Sequence, residues 1–450
     1  MKVSNTETLT PMRHLLELLS RVAPQRPLWV NAFDAAVTAE QIAESISVDA
    51  SMVGSRIALM MPNGEDLARS LVALDGVCEA ILLLPSGLDE SQRDSLMQRA
   101  SIDRVVSHLA DIRCNEELAA KPSDRGRLTR WILATSGTTG TPKLVEHTLA
   151  TLTRSASFDL TIGAQHTWSS LYNLTGFAGL QVFLQAWCGG SKFVLHNDDA
   201  TLAERVERMA RLGVTAISAT PTMWRKILMA SDAAKLPLRR ITLGGEIADQ
   251  KILDALGAVF PNAKIRQIYA STEAGVGFSV RDGKAGFPAS YLDTPPAGVE
   301  VRVEDGRLFL RNPDTSQRFI GNDARLHRED GFIDTGDRVE RVDDRFEFLG
   351  RANGTINVGG NKVQPEEIER FLLSCDGVVQ ARVYAKKSPF TGSLVAADVV
   401  SSGQLEKTEL RKHLTSRCRA SLDTHKVPAV IRLVDGIETN AAGKVLRNAG

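Results

Sequence analysis

Short apolar runs alternate with amphipathic stretches of helical spacing from about residue 56 to 270, and no other feature restricts the possible folds as strongly. RIALMM (56–61) and AILLLP (80–85) read as buried strands, and the stretch between them places Leu67, Leu71 and Leu74 at helical spacing. WILAT (131–135), KFVLH (192–196), VTAISAT (214–220) and RRITLGG (239–245) repeat the strand signal, with amphipathic segments such as LAERVERMARLG between them. The alternation predicts α/β layers with parallel strands. After Pro295-Pro296 the texture changes. VEVRVEDGRLFLRN and DRVERVDDRFEFLGR alternate around Glu-Asp-Gly and Asp-Asp turns, which predicts a hairpin-rich β segment. A smaller α+β unit follows from Arg351, with a helix near 365–374 and a strand near 378–385. A boundary near Gly350 therefore divides the chain into 1–350 and 351–450. No internal repeat or low-complexity tract interrupts it.

At 450 residues the chain exceeds one ordinary core, in keeping with that division. Lys plus Arg equals Asp plus Glu, 54 of each, so no global charge draws it to nucleic acid or anionic lipid. The five cysteines (Cys78, Cys114, Cys188, Cys375, Cys418) are odd in number and scattered, with no CxxC pair, which points away from a disulfide framework or zinc site. Glu17 interrupts the first apolar run, and no stretch approaches the ~18 apolar residues of a membrane span. A cytoplasmic protein is expected.

The segment richest in chemistry is WILATSGTTGTPKLVEHT (131–148). A buried strand runs into Thr135-Ser136-Gly137-Thr138-Thr139-Gly140-Thr141-Pro142-Lys143, where glycines and hydroxyls let backbone N–H groups face phosphate oxygens. Lys143 adds a mobile positive charge. The loop is not a Walker A motif, because Pro142 and Leu144 stand where glycine and Ser/Thr are required.

This loop resembles the phosphate-binding signature of the adenylate-forming superfamily, which contains acyl-CoA synthetases, nonribosomal-peptide adenylation domains and luciferases. Further segments resemble the family's other motifs in the same order. They are Gln267-Ile268-Tyr269-Ala270-Ser271-Thr272-Glu273, Ile333-Asp334-Thr335-Gly336-Asp337, Leu349-Gly350-Arg351 running into 356–369, and Gly443-Lys444-Val445-Leu446-Arg447. The resemblance covers nearly the whole chain. It implies an α/β fold class: a large N-terminal domain of layered α/β subdomains plus a β-rich, barrel-like subdomain, and a small mobile C-terminal α+β domain carrying the catalytic lysine.

The resemblance also implies roles. Lys444 would bridge the attacking carboxylate and the α-phosphate; Glu273 would hold Mg²⁺, with Thr272 and Lys143 on the phosphates. Tyr269 would stack on adenine, and Asp337 would accept the ribose hydroxyls. Thr135 and the loop residues Ser136, Gly137, Thr138, Thr139 and Gly140 would contact ATP. So would Gly245, Glu246, Gln267, Ala270, Ser271 and Arg351. Asn353 falls at the hinge, where relatives carry Asp or Lys, and Gly359-Gly360 at the thiol tunnel. The acid pocket would draw on Asn173, Gly176, Phe177, Gly244 and Ala274.

The expected chemistry is activation of a carboxylic acid by ATP, with pyrophosphate released, then thioester formation. A carboxylic acid has a pKa near ~4 and arrives ionised, so the first step needs no general base. It needs cations and positioning instead. The segment 170–176 lacks an aspartate to pair an α-ammonium group, which counts against an α-amino acid. CoA and the phosphopantetheine of a separate carrier protein both remain open as acceptor, and no carrier domain is expected behind Lys444. A catalytically idle nucleotide-binding relative is a further alternative, against which Lys143, Glu273, Asp337 and Lys444 stand.

Overall fold

The computed structural model describes residues 11–85, 87–114, 118–135, 142–196, 198–312, 318–320, 328–388, 392–439 and 444–445. The apolar runs form two sheets. The first has six strands in the order Arg318–Ile320, Lys143–Thr148, Arg130–Thr135, Ala80–Leu83, Arg56–Leu59, Arg104–Val106. Its last four strands are parallel, and Lys143–Thr148 pairs antiparallel with Arg130–Thr135. The second has eight strands, Gly275–Val280, Lys264–Ser271, Arg240–Gly244, Ala216–Ala219, Thr167–Ser170, Lys192–Val194, Pro27–Val30, Ala36–Thr38. It is parallel except at its two edges.

Parallel strands covered on both faces need continuous apolar sequence, which is why these runs lack a strict alternation. The helix Phe177–Cys188 is apolar almost all round and lies within the core that both sheets share. Trp187 stacks on Trp29 at 5.8 Å between ring centroids, and Phe183 meets Phe193 edge-on at 5.7 Å. On the other face of the eight-stranded sheet, the helices Leu202–Arg211, Pro221–Leu228 and Gln250–Val259 close a second core around Ile217, Trp224, Ile241 and Leu256. Layered α/β structure is thus the observed class.

The hairpin-rich segment forms a five-stranded antiparallel sheet: Phe287–Pro288, Arg345–Arg351, Ile333–Val342, Arg307–Arg311, Glu300–Glu304. Its core is aromatic, with Phe278, Phe287 and Phe346 buried together. Beyond Arg351 lie a short 3-10 turn, Ala352–Gly354, and a two-stranded hairpin, Ile356–Val358 with Asn361–Val363. The strands Val378–Ser388, Gly392–Ser401 and Val430–Leu433 form the last sheet, flanked by the helices Pro365–Ser374 and Lys407–Ser421. Pro365 opens its helix at a position needing no N–H donor, and Glu366 and Glu367 suit the positive end of the dipole. This unit has a core of its own around Val363, Ile368, Val383 and Leu414.

Candidate active site

In open α/β sheets the strands' carboxyl ends leave a crevice for ligands. Here a cavity of about 490 Å³ lies at the ends of Arg240–Gly244 and Lys264–Ser271, between these strands, the antiparallel sheet and the C-terminal unit.

The strand Arg240–Gly244 is followed by Gly245 at φ +81°. A Cβ at this position would sit 3.3 Å from Lys444 Cε, so glycine serves both the turn and the approach of the lysine. Glu246 is held at two points. One carboxylate oxygen accepts the N–H of Thr222 at 3.1 Å, in the first turn of Pro221–Leu228, and the other accepts the N–H of Val445 at 2.9 Å.

The strand Lys264–Ser271 supplies Gln267, Tyr269, Ala270 and Ser271 to the wall. Ser271 Oγ accepts the N–H of Ala274 at 2.9 Å, closing the turn that presents Thr272 and Glu273 to the cavity. His147, buried on Lys143–Thr148, hydrogen-bonds the main chain of Thr272 and so ties the phosphate strand to this turn. Asp337 and Arg351 are cross-strand partners in the antiparallel sheet, with Arg351 Nε 3.4 Å from the carboxylate of Asp337. Lys444 enters from the C-terminal unit, just before an isolated bridge between Thr439 and Val445.

Burial lowers the pKa of Lys444, and the carboxylate of Glu246 is the strongest opposing influence, ahead of Asp337 and Glu273. Burial raises the carboxyl of Asp337, against the pull of Arg351 and the Tyr269 hydroxyl. The phenol of Tyr269 is pushed well above its ordinary range by burial and by Asp337.

Several expectations from the sequence meet a different arrangement. Tyr269 lines the cavity, and Phe278 and Phe348 stack on its ring at 5.0 and 5.2 Å, with interplanar angles of 18° and 17°. Its hydroxyl donates to the carboxylate of Asp337 at 2.5 Å. Lys143 Nζ lies over the ring of Phe319 at 5.2 Å and is not among the residues lining the cavity. The five acid-pocket candidates do not line it either. Asn173 Oδ1 accepts from both the N–H and the hydroxyl of Thr175, closing its own turn. Gly176 caps Phe177–Cys188, and Phe177 faces His147 at 5.6 Å. Gly244 gives its carbonyl to the Tyr172 hydroxyl at 3.0 Å, and Ala274 is buried in the aromatic core. Gly359 and Gly360 form the tip of the two-stranded hairpin, away from the cavity, and Asn353 sits in the 3-10 turn. The loop residues Ser136, Gly137, Thr138, Thr139 and Gly140 lie outside the described residues. Thr135, just before them, does line the cavity.

Sequence reasoning overlooked the helix Pro221–Leu228. Thr222 and Arg225 line the cavity, Arg225 is paired with Asp249, and Lys226 Nζ donates to the carbonyl of Ile437 at 3.0 Å. The signal was present: Thr220-Pro221 after an apolar strand marks a helix N-terminus, and Thr220 Oγ1 caps it by accepting from Met223.

Among the described residues no group of three His, Cys, Asp or Glu could cage a metal ion. Glu273, one of several carboxylates that line a cavity sized for a nucleotide, fits magnesium, which is commonly held by one or two carboxylates together with substrate phosphates.

A nucleotide-sized cavity between a layered α/β unit and a small C-terminal unit, with a lysine contributed by the latter, defines the class, and the chain belongs to the AMP-binding enzyme family. The family's sequence model matches residues 89–313, and that of the AMP-binding enzyme C-terminal domain matches 367–444. Among relatives, the 2-succinylbenzoate–CoA ligase of Bacillus licheniformis is 30% identical over 335 residues, covering 70% of this chain and 68% of the ligase. The isonitrile lipopeptide synthase of Streptomyces coeruleorubidus is 28% identical over 449 residues, 88% of this chain, but the chain spans only 30% of that synthase. The crystal structure of an anthranilate CoA ligase in complex with anthranoyl-AMP superposes with a TM-score of 0.77 at 17% identity, covering 99% of this chain and 97% of the ligase, a likeness of fold.

Proposed function

We propose that the chain activates a small carboxylic acid with ATP and then transfers the acyl group to the thiol of CoA. One observation carries this reading: Lys444, from the C-terminal unit, lines the same cavity as Glu273, Asp337 and Glu246.

In the first step a carboxylate oxygen attacks the α-phosphorus of ATP, the bond to the β-phosphate oxygen breaks, and pyrophosphate leaves with its electron pair. The obstacle is the approach of an anion to a polyanion. An ammonium held where both charges meet lowers that barrier without reorganising water. Lys444 is that group. Asp337 orients the ribose, and Glu273 would hold Mg²⁺, which when bound offsets charge on the phosphates. In the second step the thiol attacks the mixed anhydride carbonyl, loses its proton, and AMP leaves.

The division into 1–350 and a mobile 351–450 belongs to this proposal. Lys444 is inside the cavity while Gly359 and Gly360 are outside it, an arrangement suited to adenylation. Thioester formation would require rotation near Asn353 to exchange them. An acyl carrier's phosphopantetheine is the second reading, which the 28% identity to the lipopeptide synthase favours. No helix among the described residues is long and apolar enough to cross a membrane, and a cytoplasmic location is part of the proposal.

A pyrophosphate-exchange screen over aliphatic, aryl and amino acids tests the first step, with CoA and a phosphopantetheinylated carrier protein compared in the second. Lys444→Ala should lose exchange by at least about 100-fold. It should still consume supplied acyl-adenylate. Failure of every acid to release pyrophosphate, or loss of both half-reactions in a folded Lys444→Ala protein, would overturn the proposal.

A further inference from the structure

Ile437 and Val445, in the same unit as Lys444, are each held by a side chain from one neighbourhood of the larger unit. Val445 gives its N–H to Glu246 at 2.9 Å, and Ile437 takes a hydrogen bond from Lys226 Nζ at 3.0 Å. Both contacts are to main-chain atoms, so they place Ile437 and Val445 whatever their side chains are. They converge on one helix: Lys226 belongs to Pro221–Leu228, and the second oxygen of Glu246 accepts the N–H of Thr222 in that helix's first turn. A carboxylate at a helix N-terminus is held by the dipole as well as by the bond. Val445 also pairs with Thr439 in an isolated bridge.

Glu246 is ill suited to the nucleotide contact that family resemblance assigns to it. A carboxylate beside a triphosphate is repelled unless a cation intervenes. Moreover, both of its oxygens are already occupied by protein N–H groups, one from each unit. Its ammonium neighbours are Lys444 and Lys226, and in each case burial lowers the lysine pKa while Glu246 opposes the shift.

We propose that Glu246 is a positioning residue for adenylation, a latch that seats the main chain beside Lys444 on the helix Pro221–Leu228, with Lys226 as its second point of attachment. The latch rests on the adenylation reading above and deepens it. Because rotation of the C-terminal unit would break both contacts, they act on the first half-reaction and not on the second.

The test compares Glu246→Ala, Glu246→Gln and Lys226→Met in pyrophosphate exchange and in thioester formation from supplied acyl-adenylate. Glu246→Ala should lower kcat for exchange about 50-fold while KM for ATP changes less than about threefold, as expected for lost positioning. Glu246→Gln retains an oxygen that can accept from Val445 and should recover to within about tenfold of the parent protein. Lys226→Met should lose about fivefold. In each variant the first half-reaction should fall by a larger factor than the second. A rise in KM for ATP with kcat intact would make Glu246 a nucleotide contact and overturn the latch. Equal loss of both half-reactions would make it a structural support and overturn it too. Absence of exchange in the unaltered protein would instead defeat the adenylation reading, and the latch with it.

Discussion

Tyr269 shows how far single residues can be read in advance. The string around it announces a nucleotide site, and the strand Lys264–Ser271 does deliver Gln267, Tyr269 and Ser271 to one cavity. The string cannot announce that Phe278 and Phe348 stack on the ring, because Phe278 pairs across a strand register and Phe348 comes from another sheet. The hydroxyl of Tyr269 donates to Asp337. Tyr269→Phe keeps the aromatic stack and removes that one bond, whose net worth is about 1 kcal/mol. The expected result is a rise of about fivefold in KM for ATP, with a smaller change in kcat, measured in the exchange assay. An unchanged KM would mean that Asp337 needs no orienting partner. Glu246 was less legible still. It can be picked out beside Gly245, but its partners are N–H groups 24 residues before it and 199 after it, and backbone donors leave no trace in sequence.

Among elements, legibility followed apolarity. The runs at Arg56–Leu59 and Ala80–Leu83 announce themselves because these parallel strands are buried on both sides. The strand Thr167–Ser170, sequence TWSS, gives no such signal, although it sits within the eight-stranded sheet. It can be polar there because Ser169 Oγ lies 2.7 Å from His196 Nε2, a buried pair satisfied internally. Strand edges near the cavity depend on backbone fit, and Gly286 is the clearest instance. It lines the cavity just before Phe287–Pro288, at φ +70°, and a Cβ would lie 2.1 Å from the carbonyl oxygen of Phe346 on the paired strand. Backbone cannot swing aside as a side chain can. Gly213 has a similar φ of +65° but open space around it. Gly213→Ala should therefore cost only the conformational strain, about 1 kcal/mol, whereas Gly286→Ala should cost more than about 3 kcal/mol. Urea unfolding of the two variants separates these contributions, and equal midpoints would refute the steric argument.

At the scale of the molecule, charge balance and the order of motifs indicated the class, but not the sheet order. Pro27–Val30 joins Lys192–Val194 through Trp29↔Phe193, a pairing between distant segments that local periodicity cannot encode. The same folding buries three titratable groups remote from bulk water, and they pull stability in opposite directions. Burial drives His147 down to about 4 and His196 to about 3, from an ordinary 6.5. Below pH 6.5 the unfolded chain binds protons that these native imidazoles refuse, so stability falls on acidification. Burial drives Asp75, which accepts from the N–H of Leu15 and from Trp131 Nε1, up from 3.8 to about 7. The native carboxyl then holds a proton that the unfolded chain has lost, so its contribution weakens as pH rises from 3.8 towards 7 and returns on acidification. Between pH 7 and pH 5 the two histidines together remove about 4 kcal/mol, while Asp75 returns about 2–3 kcal/mol, for a net loss of about 1–2 kcal/mol. Asp75→Asn abolishes the opposing titration whatever it does to absolute stability. Its unfolding free energy should therefore drop by about 4 kcal/mol over the same interval, a steeper fall than in the parent chain. Urea titrations of both proteins at the two pH values decide the matter: a parallel or shallower fall in Asp75→Asn would mean that this carboxyl is ionised in the native state at neutral pH.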